Sequence, residues 1–226
     1  KERRIQWHMA LGLKKEKLRF HEHGPDELAH YAKAAFDIEY EFPFGWQEIE
    51  GVHHRSDFDL KQHEKFSGKK LSVHDPETKS SYIPNVVESS VGCDRATLTL
   101  LVDAFEEEIV ESSGQEEAGP RTVMKFSPKI APYHIAVFPL MKKEELVPRA
   151  RKIYEDLRKT WKVEYDEVGS IGKRYRRVDE VGTPYAITVD FETDGVTIRD
   201  RDSMKQERVA EGQLGEFFQK KFGADI

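Results

Sequence analysis

Cysteine is nearly missing from this sequence: Cys93 is the one thiol in 226 residues. A lone cysteine excludes an intramolecular disulfide and any cysteine-rich zinc site, and it suits a reducing, cytoplasmic setting. Long apolar runs are missing too. No window approaches eighteen such residues, so no membrane-spanning helix and no membrane partner are expected. The chain opens on Lys1 without a charged-then-apolar leader, so no secretory signal is expected. It contains no internal repeat and no low-complexity tract. An excess of basic charge is also absent. The formal net charge of -6 excludes a generic polyanion coat, although a local basic face still suffices for nucleic acid.

The charge that is present is uneven. Residues 1–120 hold 15 Lys and Arg against 24 Asp and Glu, whereas residues 121–226 hold 21 against 18. Eight of the nine histidines fall in the first half. This asymmetry points to two units with different work. Residues 106–120, EEEIVESSGQEEAGP, are acidic, contain Ser and Gly and end in Pro, and they read as an exposed loop or linker. The expected domains are therefore 1–119 and 122–226.

The second half alternates between periods. His134–Phe138 reads as a buried strand and Lys142 to Trp161 as a helix. A short strand follows at Val163–Tyr165, then a basic helix from Gly172 to Val181 that ends near Gly182. Tyr185–Phe191 and Val196–Arg199 pair across Asp194-Gly195, and Ala210–Lys221 closes as a helix. The expected class here is α/β with a mixed sheet. In the first half, helices are expected at Arg3–Gly12, from Pro25 onward, at Phe58–Phe66 and at Gly92–Phe105. Strands are expected at Leu18–His23, Ile38–Phe44, Trp46–Val52, Leu71–His74 and Tyr82–Ser89. Adjacent strands with helices packed on them give α+β with an antiparallel sheet.

Several apparent sites fall away. GSIGK at Gly169–Lys173 lacks both the spacing of a phosphate loop and the hydroxyl after Lys. His53 and His54, with His63 and His74, make a poor metal set, since strand neighbours face opposite sides. Cys93 has no base beside it, so a packing role is expected. The informative segment is PNVVESSVGCDRATLTLLVDAF, residues 84–105. On a strand, Glu88, Ser90 and Gly92 share one face. The helix that follows presents free N–H groups to an anion, with Arg95 in its first turn. A carboxylate for a cation beside a helix end for an anion suits a zwitterion joined to a phosphate. A structural Glu88–Arg95 ion pair is the alternative.

This segment resembles motif 3 of class II aminoacyl-tRNA synthetases, in the E-x-S-x-G-x-x-R form of the dimeric glycyl-tRNA synthetases, over Glu88 to Arg95. Upstream, AHYAKAAFDIEYEFPFGWQEIEGVHHRSDFDL is similar to that family's W-x-E and GxxxR-(S/T)-x-(F/Y)-D-L stretches. Downstream, KIAPYHIAVFPL, VEYDEVGSIGKRYRRVDEVGTPYAITVDF and VTIRDRDSMKQERV resemble its anticodon-binding domain. The resemblance implies a partial class II catalytic domain in residues 1–119 and an anticodon-binding domain in 122–226. It implies ATP-dependent joining of glycine to tRNA through glycyl-adenylate. ATP is then a substrate, Mg2+ accompanies it, no organic cofactor is used, and the intact enzyme is a homodimer. It also implies a glycine site of Glu48, Glu88, Ser89, Ser90, Val91 and Gly92. ATP falls against Glu48, Ile49, Gly92, Cys93, Asp94 and Arg95, and Arg55 orients the pocket glutamates. The basic run Lys173, Arg174, Arg176 and Arg177 is expected to meet tRNA. Motifs 1 and 2, including any F-R-x-E stretch, are absent from these residues, so the expectation is a C-terminal fragment inactive by itself. The alternative is a synthetase-like accessory protein that binds nucleic acid without aminoacylation.

Overall fold

The computed structural model describes residues 1–110 and 119–223, and the chain divides into two compact units, Lys1–Val102 and Asp103–Ile226. The first is built on an antiparallel sheet of β1 (Leu18–Glu22), β2 (Ala34–Phe42), β3 (Gly45–His54) and β6 (Val87–Val91), ordered β1-β2-β3-β6. A small hairpin, β4 (Val73–Asp75) with β5 (Ser80–Tyr82), intervenes in the chain. One sheet face is apolar. Leu18, Ile38, Tyr40, Phe42 and Ile49 cluster there with Leu13, against Ile5 and Met9 of α1 (Glu2–Ala10) and Leu100 and Val102 of α3 (Cys93–Ala104). The other face carries Asp37, Glu39 and Glu41 from β2, as the alternation of its sequence requires. Helix α2 (Phe58–Ser67) stops at Gly68, whose φ of 68° is a left-handed cap that glycine adopts without strain.

The helix expected from Pro25 onward does not form. Residues 25–33 make turns, with Gly24 N–H donating to the Glu27 carboxylate at 2.8 Å, and Ala34 and Ala35 pair with His54 and His53. So short an isolated helix is marginal, and sheet pairing takes its last residues. The strand expected over Tyr82–Ser89 is split into β5 and β6 around Pro84, which has no N–H for a ladder.

The second unit holds a mixed five-stranded sheet ordered β10-β9-β11-β12-β13. These are β9 (Ile135–Pro139), β10 (Val163–Tyr165), β11 (Tyr185–Val189), β12 (Val196–Asp200) and β13 (Gln206–Val209). β9 runs parallel to β10 and β11, and β12 is antiparallel to β11 and β13. β9 is buried throughout because helices cover both sides. Ile135 and Val137 meet α4 (Val147–Leu157) and α6 (Leu214–Phe222). Ala136 and Phe138 meet α5 (Ile171–Val181). The polar edge strand β13 was not expected from the sequence, as Gln206, Glu207 and Arg208 offer no apolar alternation.

The boundary expected at 119/122 is corrected to 102/103. Residues 106–110 are not linker. Phe105–Val110 forms β7, paired antiparallel with β8 (Gly119–Met124), while residues 111–118 of the expected linker lie outside the described residues. The acidic strand is tolerated because its charges are met. Lys125 Nζ lies 2.7 Å from Glu106 and 2.5 Å from Glu108, and Arg121 Nη1 lies 2.8 Å from Glu108. Arg121 Nε also donates to Asp179 Oδ2 at 2.8 Å, and Arg199 holds Asp179 Oδ1 at 2.9 Å. This buried group ties β8 and β12 to α5.

Candidate functional site

Strict alternation would put Glu48 and Glu50 on one face of β3. The structure separates them. Glu48 pairs with Glu39 and Glu50 with Ile38, so Ile49 is the extra residue of a β-bulge. A bulge resets the alternation after it. Glu48 therefore shares the polar face with Gly51 and His53. Glu50 turns to the other face. Across to β6, Gly51 pairs with Ser90 and His53 with Glu88, so Glu48, Gly51, Ser90, His53 and Glu88 occupy one surface.

Behind that surface Glu50 is fully buried. It accepts from Arg4 Nη2 at 3.0 Å and His8 Nε2 at 2.8 Å, and also from Ser89 Oγ. Burial alone would raise the Glu50 carboxyl, but the bonds from Arg4, Ser89 and His8 hold it below its ordinary value. Burial pushes His8 below the usual histidine value, so it donates as the neutral ring. This network clamps the backs of β3 and β6 to α1. Sequence reading missed it because Glu50 lies more than forty positions from both Arg4 and His8 and the three carry no motif.

On the polar side a cavity of about 390 Å³ is lined by Glu48, Ile49, Ser90, Gly92, Cys93, Asp94 and Arg95. Helix α3 starts at its wall, where Ala96 N–H bonds Gly92 O at 2.9 Å. The earlier N–H groups of a helix have no intrahelical acceptor, which favours an anion there. Arg95 Nη1 donates to Glu48 O at 2.7 Å and so bridges α3 to β3.

The structure thus brings together Glu48, Ile49, Ser90, Gly92, Cys93, Asp94 and Arg95. Glu88 lies on the same face two residues along β6. Its partner is Arg55 Nη1, not Arg95, so the ion pair kept open above is not the one formed. Arg55 also holds Asp59, with Nε 2.6 Å from Oδ2, and stacks over Tyr31 at 4.0 Å. Those partners, Asp59 first and Glu88 second, keep its guanidinium firmly protonated. Ser89 and Val91 are corrected: pairing with Val52 and Glu50 puts their side chains on the opposite face, where Ser89 serves Glu50. Cys93 is exposed in the cavity wall rather than packed. Among the described residues, no three His, Cys, Asp or Glu side chains could hold a metal ion. A Mg2+ that accompanies ATP is held mainly by the phosphates, waters and one or two carboxylates, so it requires no such three-residue site.

The basic run on α5 divides. Arg174 is buried, with Nη1 donating to Pro139 O at 2.5 Å and Nη2 to Leu140 O at 3.0 Å. Burial pushes its pKa down. The expectation that it meets tRNA is therefore corrected: helical spacing turns position 174 inward beside Tyr175 and Val178. Arg177 is engaged by Asp166 and donates to Val168 O at 2.7 Å. Arg176 is half-buried, and Lys173 is exposed.

The anticodon binding domain family matches residues 134–221. The chain is 49% identical over 231 residues to a glycine–tRNA ligase of Clostridium kluyveri, covering 96% of this chain and 48% of that protein. It is 48% identical over 225 residues to that of Chlorobaculum tepidum, covering 98% of this chain and 46% of the relative. It is 51% identical over 221 residues to that of Acetivibrio thermocellus, covering 96% and 46%. The chain spans about half the length of the curated relatives it matches.

Proposed function

We propose that this chain, whose residues 134–221 match the anticodon binding domain family and which is similar to glycine–tRNA ligases over about half their length, forms the glycine-holding and anticodon-reading part of such a ligase. In the reaction, the glycine carboxylate attacks the α-phosphate of ATP, giving glycyl-adenylate and releasing pyrophosphate, and a terminal ribose hydroxyl of tRNA then takes the glycyl group and releases AMP. The residues here bind and position rather than transfer protons.

Glu48, Glu88 and Ser90 supply acceptors for the three donors of the glycine ammonium. Glu88 keeps acceptor capacity beside its bond to Arg55, since a carboxylate offers about four lone-pair sites. The opening of α3 with Arg95 suits the negative charge of the nucleotide, and the base or ribose borders the backbone of Ile49, whose side chain packs in the core. Glycine has no side chain to grip, so selectivity depends on leaving no room for a larger one. The observation that carries this reading is the convergence of Glu48, Ser90, Gly92 and Arg95 on one cavity beside a helix start. The accessory-protein alternative needs no acidic floor of this kind.

The test is charging by the full-length protein that carries this chain, with tRNA and each amino acid in turn. Attachment of glycine alone is expected, and charging with another amino acid or none overturns the reading. Residues 1–226 by themselves, which hold no F-R-x-E stretch, are expected to give no glycine-dependent ATP–pyrophosphate exchange.

A further inference from the structure

Gly51 lies inside β3, where glycine weakens a strand by its conformational freedom and lack of packing. Its backbone does not explain its presence. Its φ is not in the left-handed region, unlike Gly45 at 106° or Gly68 at 68°. No backbone atom crowds it either. A Cβ at position 51 would lie 3.2 Å from His53 Nε2 and 3.6 Å from Glu48 Oε1, and the third near atom is His53 Cε1 at 3.7 Å. Everything close to the missing side chain is the polar end of a neighbouring one. By contrast, at Gly195 a Cβ would meet the backbone of Val209 at 2.4 Å, which is a packing reason for glycine.

Pairing shows what surrounds that point. Asp37 of β2 and Ser90 of β6 are the cross-strand partners of Gly51, and Glu48 and His53 lean in along β3. Glu88 is paired with His53. Asp37 is buried and held by His23 Nε2 at 2.8 Å. The bulge at Ile49 is what brings Glu48 over Gly51 instead of leaving it on the far face. Gly51 is thus the side-chain-free centre of a ring of acceptors.

We propose that Gly51 is a specificity-determining residue: its missing side chain lets Glu48 and His53 converge and sets the depth at which an α-ammonium sits between Glu48, Ser90 and Glu88. A methyl group there stands in ordinary contact with Glu48 Oε1 at 3.6 Å and shifts the His53 ring, 3.2 Å away, by a few tenths of an ångström; it fills the floor of the ring and lifts the ammonium. The bound amino acid is then displaced, while the nucleotide, held by the α3 side of the cavity, is not. This inference rests on the glycine-pocket reading above.

The experiment compares Gly51→Ala, Gly51→Ala/His53→Ala and Glu48→Gln in the full-length enzyme, by ATP–pyrophosphate exchange and melting temperature. Gly51→Ala is expected to raise the glycine KM roughly tenfold or more, to leave the ATP KM within about twofold, and to keep or raise Tm. A glycine with only a structural role would lower Tm and leave the glycine KM alone, and that result overturns the proposal. If crowding by His53 lowers Tm in the single variant, the double variant removes the nearest contact. It is then expected to recover Tm but not the glycine KM, and recovery of both overturns the proposal. Glu48→Gln separates the two layers. An unchanged glycine KM in that variant defeats the pocket reading itself. A raised KM there with a normal KM in Gly51→Ala defeats only the inference about Gly51.

Discussion

Arg55 donates from Nη1 to Oε2 of Glu88 while its Nε and Nη2 hold Asp59, so one guanidinium fixes the pocket carboxylate to the first turn of α2. The backbone reinforces this, with Arg55 N–H bonded to Val86 O at 2.9 Å and Val86 N–H to Ser56 O at 2.8 Å. One oxygen of Glu88 is thereby tied toward α2.

Arg55→Lys in the full-length enzyme tests that positioning role. Lysine keeps the charge but loses the planar fork that reaches two carboxylates at once. The glycine KM is expected to rise on the order of tenfold, with the ATP KM changed far less. Equal changes in both constants, measured by pyrophosphate exchange, would mean that Arg55 supports the fold and does not orient Glu88.

Gly182 caps α5 at φ 89°, and a Cβ there would lie 2.5 Å from Phe126 Cδ2 and 2.8 Å from Met124 O. Both the conformation and the space require glycine. Gly182→Ala is expected to cost about 2–4 kcal/mol from strain and overpacking together. Urea denaturation of the chain measures it, and a loss under about 1 kcal/mol would contradict this packing of α5 on β8.

His134, the single histidine after residue 103, is buried at the entry to β9, with its ring 5.4 Å from that of Phe222. Burial, and secondarily the charge of Lys162, push its pKa below the ordinary histidine value. The unfolded chain then takes up the proton first, so stability present above about pH 6.5 is lost as pH falls from there toward the lowered folded value. Glu164 has the opposite sign, because burial raises its carboxyl and its contribution falls as pH rises from the usual carboxylate range. The difference between wild type and His134→Gln isolates the histidine. Urea midpoints at pH 7.5 and 5.5 are expected to separate less in the variant. Equal separation would show that His134 is not the titrating group.

The legible parts of the fold were those with periodic burial. β9 reads as a continuous apolar run, α5 shows inward positions at helical spacing, and Gly68 and Gly182 mark their helix ends. The segments that misled were those whose structure depends on distant partners. Glu106 and Glu108 look like solvated linker until Lys125 and Arg121 meet them, and Pro25 opens turns because Ala34 and Ala35 belong to the sheet. In the site, the spacing of Glu88, Ser90 and Gly92 was readable because a regular strand alternates. The bulge at Ile49 was not, since one extra residue leaves no compositional trace yet decides which glutamate faces the cavity. Arg174 shows the same limit from the other side: a cation in a basic run is a buried strut once its helix is docked.

We place the ammonium of glycine on the β3–β6 floor, and the glycine KM of Glu88→Gln in the full-length enzyme is the measurement that decides this. The substitution keeps size and removes the charge that an ammonium requires. A rise of about ten- to a hundredfold in the glycine KM is expected in pyrophosphate exchange, from the loss of a charged hydrogen bond, with Tm and the ATP KM nearly unchanged. A glycine KM within twofold of wild type in a folded variant would contradict it.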